Sequence, residues 1–212
     1  DATGNWREGQ REATRLLREA GWRIDNQRLV NANGQQMEFE ILLSSSQFER
    51  IALPYIENLK RLGIVARVRT VDTAQYQNRI DGFDFDMTVT VFGQSESPGN
   101  EQLDFWTSAK ADTQGSRNLA GLKSKAVDAL VDLLIASPDR ESLVMRTRAL
   151  DRVLQWNHLV VPHWHARADR VAYWDRFSRP LVTPRTGFNS TVWWVDPRKD
   201  ASLRERRGRG QR

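Results

Sequence analysis

The chain reads as an α/β domain in which strands and helices alternate, on three observations. Stretches of period two at 37–43, 64–71 and 87–91 carry the signature of strands. Segments of helical period separate them. Turn residues stand at the joins, Gly63 before the second stretch and Asp81-Gly82 before the third. A β-α-β-α-β order argues for a parallel or mixed sheet with covering helices.

Residues 6–20 put Ala13, Leu16, Leu17 and Ala20 on one helical face, and Gly21 suits the helix C-terminus. A strand begins at Trp22. Asn33-Gly34 is the strongest hairpin dipeptide in the chain, so 22–30 and 35–43 are expected to pair across it. The second of these strands alternates Met37, Phe39, Ile41 and Leu43. Residues 44–46 are serines that offer caps to a helix over 47–62, which Pro54 interrupts. Gly63 ends that helix. The strand over 64–71 shows Ile64, Ala66 and Val68 on one face, and Asp72 or Thr73 caps a short helix through Ile80.

The third strand has Met87, Val89 and Val91 alternating with Thr88 and Thr90, and stops at Gly93. A polar loop follows (Gln94, Ser95, Glu96, Ser97), then Pro98-Gly99 and a helical turn over 100–106. Open α/β sheets hold ligands at the carboxyl ends of their strands. The segment 84–106 is therefore where function is expected.

Beyond it, 109–121 is irregular and polar, with Arg117 and Asn118 in its middle. Two helices are expected next. The first, 123–136, aligns Val127, Leu130, Val131 and Leu134; the second, 139–157, aligns Leu143, Leu150, Val153, Leu154 and Trp156. A short buried strand over 159–161 ends at Pro162. Tryptophans and prolines then crowd into sequence with little periodicity, which places a boundary near residue 158.

The totals exclude several classes. No apolar run reaches the 18 residues a transmembrane helix needs, and no cysteine is present for disulfides, thiolate metal sites or cysteine nucleophiles. The net charge of +5 suggests nucleic acid until it is located. Residues 198–212 hold seven Lys/Arg against two Asp/Glu, the whole excess. The body is neutral, so a nucleic-acid partner is not expected and the basic end is expected to be a disordered tail.

Several stretches together resemble the C-terminal part of the family 5 extracellular solute-binding proteins, the oligopeptide and dipeptide receptors of ABC importers. They are REATRLLREAGW (11–22), ENLKRLGIVARVRTVDTAQYQNRIDGFDFDM (57–87), GSRNLAGLKSKAVDALVDLL (115–134) and RTRALDRVLQWNHLVVPHW (146–164). SPGNEQLDFW (97–106) with GSRNLAG is most similar to the YejA-like branch. The resemblance implies a type II periplasmic-binding-protein fold. Residues 1–158 would then be most of lobe II and 159–197 a segment returning to lobe I, with 198–212 as the tail. It implies a periplasmic protein whose signal peptide and N-terminal part lie outside this chain. It also implies a peptide or peptide-like ligand and an ABC permease as partners, with no cofactor and no catalysis. Many such receptors grip the peptide amine with an aspartate just after the focal strand. Gln94 and Ser95 stand there instead, and Glu96 is the nearest carboxylate.

The candidate ligand-binding residues are Phe92, Gly93, Gln94, Ser95, Glu96, Ser97, Asn100, Arg117, Asn118, Trp164 and His165. The loop supplies donors and acceptors for a peptide backbone and an amine. Arg117 suits a carboxylate, which its fork binds bidentately. Trp164 offers flat apolar area, as does Trp106 unless it is spent on the core. His163 and His165 share a strand face, but zinc needs a third or fourth ligand and only His158 remains, so no metal is expected. The competing reading is a serine esterase. Gly93 to Ser97 nearly matches the G-x-S-x-G elbow, with Ser95 as nucleophile, but the last glycine is missing.

Overall fold

The computed structural model describes residues 5–162, 168, 170–182 and 187–209, and divides into two units, Asp1–Leu159 and Val160–Arg212. The first unit opens with α1 (Trp6–Glu19), whose N-cap Asn5 accepts from the Glu8 N–H. β1 (Arg23–Asp25) and β2 (Arg28–Val30) then pair antiparallel across Asn26 and Gln27, both at positive φ.

This corrects the expected hairpin. Asn33-Gly34 closes only a small loop in which the Asn31 N–H donates to the Gln35 carbonyl, and one bridge joins Val30 to Gln36. The chain then leaves the hairpin as β3 (Glu38–Leu43) and pairs parallel with β4 (Val65–Thr70) and β5 (Met87–Thr88), in the order β4-β3-β5. Burial explains the choice. Ile41, Leu42 and Leu43 are all at most 3% exposed, so both faces of β3 need cover, which a central parallel strand receives. On one face Phe39, Ile41, Leu43, Val68 and Met87 pack against Ala52, Tyr55 and Ile56 of α2 (Glu49–Lys60). Pro54 lies inside α2 without ending it.

Gly63 is required at the next join. Its φ is +79°, and a Cβ there would lie 2.7 Å from the Leu29 nitrogen, whose N–H donates to the Gly63 carbonyl. α3 (Thr73–Asp81) is capped by Asp72 and returns the chain to β5. β5 is shorter than its alternation suggests. The Thr88 hydroxyl bonds the Leu42 carbonyl, and Val91, expected in the strand, is 81% exposed.

A second core gathers α4 (Glu101–Trp106), α5 (Lys125–Ile135) and α6 (Arg140–Trp156) around Phe105, Trp106, Leu122, Val127, Val131, Leu134 and Leu150. Ser124 and Asp139 cap the two long helices. Trp156, expected on the apolar face of α6, is instead 80% exposed. Residues 159–161 form no strand, and Val160 and Val161 are exposed.

In the second unit β6 (Phe177–Ser178) pairs antiparallel with β7 (Trp194–Val195), and Trp193 sits edge-on to Tyr173 and Phe188. The expected disordered tail is a helix as far as it is described, α7 (Pro197–Arg209). Asp196 accepts from the Arg198 and Lys199 N–H groups at its start, Asp200 pairs with Arg176 and Arg204, and Arg207 lies over Trp174.

Candidate functional site

The polar loop leaves β5 at the carboxyl edge of the parallel sheet and is tied down at three points. Phe92 is the first. Its ring packs 5.8 Å from Phe105 and 5.0 Å from Trp106, so its side chain serves as the loop's apolar foot.

Gln94 is the second. Its Oε1 accepts from Gln102 Nε2 at 2.7 Å, while Gln102 Oε1 accepts from the Trp106 indole at 3.1 Å. Gln102 is 3% exposed, and a buried amide needs such partners. The same Gln102 Nε2 also donates to Glu101 at 3.2 Å. The Gly99 N–H, on the Glu101 carboxylate at 2.9 Å, holds that carboxyl below its ordinary range.

Arg140, the first residue of α6, is the third. Its Nη1 donates to the Glu96 carbonyl at 2.6 Å and to the Ser97 hydroxyl at 3.1 Å. Between these ties the Ser97 N–H bonds the Ser95 hydroxyl, a local turn. Gly93, Gln94, Ser95, Glu96, Ser97 and Asn100 are all exposed. Among the described residues the backbone of 91–95 makes no backbone–backbone hydrogen bond, which leaves amide groups for a ligand.

Arg117 and Asn118 part company. The Arg117 guanidinium lies 4.1 Å over the Phe105 ring, the same ring Phe92 touches, and forms no ion pair among the described residues. Asn118 is 1% exposed. Its amide donates to the Thr107 and Leu122 carbonyls and accepts from the Leu122 N–H. Both amide hydrogens are spent on the core and the side chain is buried, which argues against the expected ligand contact. Trp106 is core. Trp164 and His165 lie outside the described residues.

Sequence reasoning missed Gln102, Phe105 and Arg140. Gln102 had a signal: a glutamine one turn before Trp106 sits on the stripe that α4 buries. Arg140 had none, since it meets the loop from 43 and 44 positions away. A small gap is bounded by Leu17, Trp22, Ile24, Leu29 and Leu62, with Thr14 and Arg18 at its edge, and includes none of the loop residues.

Residues 2–114 match the profile of the bacterial extracellular solute-binding proteins, family 5 middle region. The chain is 52% identical to the uncharacterized protein y4wM of Sinorhizobium fredii over 190 residues, covering 89% of this chain and 29% of that one. It is 49% identical to the probable peptide-binding protein YejA of Agrobacterium fabrum, over 89% of this chain and 31% of the relative. It spans about a third of the length of these curated relatives. Among solved structures, the oligopeptide-binding protein AppA of Bacillus subtilis, in complex with a nonapeptide, matches with a TM-score of 0.68 and 20% identity. That match covers 88% of this chain and 37% of AppA, and shows the shared fold. The matching profile is one of solute binding, and the Ser95 hydroxyl accepts from the Ser97 N–H. The chain belongs to the bacterial extracellular solute-binding proteins, family 5.

Proposed function

We propose that this chain is the ligand-gripping part of a substrate-binding component of an ABC importer, one that captures oligopeptides or peptide-like compounds. The observation that carries this is the exposed polar loop over 93–97, rooted at the sheet's carboxyl edge in a chain of family 5. The name of the YejA relative and the nonapeptide in AppA favour a peptide over the other solutes such a cleft takes. Residues 1–158 act as lobe II, and 159–197 pack on a lobe I supplied by the N-terminal part of the same protein. The protein works in the periplasm and delivers its ligand to a permease in the inner membrane.

Capture uses the amide groups of 91–95 on an extended ligand, the polar side chains of the loop, and closure of the two lobes. Closure follows binding only because the ligand contacts the closed form better than the open one. Glu96 neutralises a ligand amine, and Arg117 takes a carboxylate.

Binding to the native state raises the melting temperature by mass action. A random pool of tri- to hexapeptides is expected to stabilise the full-length protein. Stabilisation by sugars or nickel chelates, with none from the peptides, would overturn the proposal.

A further inference from the structure

Arg140 stands where helix chemistry disfavours it. It is the first residue of α6, and a cation in the first turn opposes the positive end of the helix dipole. That turn is already served by Asp139, whose carboxylate accepts from the Ser142 N–H at 2.7 Å, and by Glu141. The Arg140 side chain is exposed, and its two hydrogen bonds among the described residues both leave the helix. Nη1 donates to the Glu96 carbonyl at 2.6 Å and to the Ser97 hydroxyl at 3.1 Å. The loop has need of that donor. Among the described residues the backbone of 91–98 makes no backbone–backbone hydrogen bond. The ties from α4, through Phe105 and Trp106 to Phe92 and through Gln102 to Gln94, reach no further along the loop than Gln94. Beyond it, the Ser97 N–H on the Ser95 hydroxyl is a bond within the loop. Arg140 joins 96–97 to a second element.

We infer that Arg140 is a positioning residue for ligand capture, which holds the far half of the loop in one geometry before a ligand arrives. This rests on reading the protein as a peptide receptor. A loop residue that is left unfixed has to be ordered by the ligand, and ordering the backbone of one residue costs about tenfold in affinity. The same side chain does nothing for the helix that carries it, since α6 would start better with a small neutral residue. Its position is explained by the loop and not by α6.

Full-length wild type and Arg140→Ala are incubated with a random pool of tri- to hexapeptides, half as free acids and half as isotope-labelled C-terminal amides. Retained peptides are quantified by mass spectrometry, and the melting temperature of each protein is read without peptide. Arg140→Ala is expected to retain about tenfold less of both halves of the pool. Its melting temperature is expected to equal or exceed that of the wild type, because the helix loses an unfavourable charge. A merely structural role predicts that retention and melting temperature fall together, and that result overturns the inference. A loss confined to the free acids also overturns it, since Arg140 would then grip a ligand carboxylate itself. Retention by the variant equal to that of the wild type overturns it and leaves the receptor reading standing. A wild type that retains no peptide overturns both.

Discussion

Asn118 is buried and Glu96 is exposed, and they carry opposite expectations. Asn118→Ala takes one of two bonds from the Thr107 carbonyl, which still accepts from the Lys110 N–H, and removes the partner of the buried Leu122 carbonyl and of the Leu122 N–H. Each orphaned group carries a desolvation cost, so a loss of about 3 kcal/mol in unfolding free energy is expected from urea titration, with ligand preference unchanged. Glu96 is exposed on the loop and is positioned through its carbonyl by Arg140. Glu96→Gln in the full-length protein is expected to weaken free-amine peptides by roughly 2–5 kcal/mol, the usual cost of breaking a buried charge pair, and N-acetylated peptides far less. Calorimetric titration of both peptide types checks it. Equal weakening of both, or of neither, means that the amine anchor lies elsewhere.

At the scale of elements, helix α7 depends on a charged cap. The Lys199 N–H, first, and the Ser178 hydroxyl hold the Asp196 carboxyl below its ordinary value of 3.8. A depressed folded pKa gives stability that is present above the unfolded value and lost as pH falls through the folded one. Asp196→Asn keeps a capping oxygen but not the charge. The gap in melting temperature between wild type and Asp196→Asn is therefore expected at neutral pH and should close below pH 3.8. A gap that persists in acid would show that the charge is not what matters.

Helices with long apolar stripes were legible in the sequence: Val127, Val131 and Leu134 lie where period 3.6 puts them. Strand order was less so. Asn33-Gly34 is a strong local turn signal, but Ile41, Leu42 and Leu43 all need burial, and that tertiary demand moved β3 into the parallel sheet. The loop as a location was legible from alternation ending at Gly93. Its internal wiring was not, because the relay through Gln102 and the tie from Arg140 depend on packing between elements. Asn118 shows the same limit from the other side, since a polar residue in an irregular segment looks available until its burial is known.

At the scale of the whole molecule, the second unit exposes Trp174 at 59% and Trp194 at 50%, with Leu181 and Val182 more exposed still. Apolar area of this kind marks a surface that packs on something else. If that partner is the other lobe, the isolated 212-residue chain is expected to aggregate in light scattering. A monodisperse monomer with one cooperative melt would contradict the two-lobe reading.

The central claim is that this family 5 chain serves a peptide receptor, and the ligand it carries from the cell tests that most directly. Full-length protein is purified from the periplasm without a denaturing step, and the retained ligand is identified by native mass spectrometry. The expected ligand is a peptide or peptide-like compound. A retained sugar or metal chelate, with no peptide bound, would contradict it.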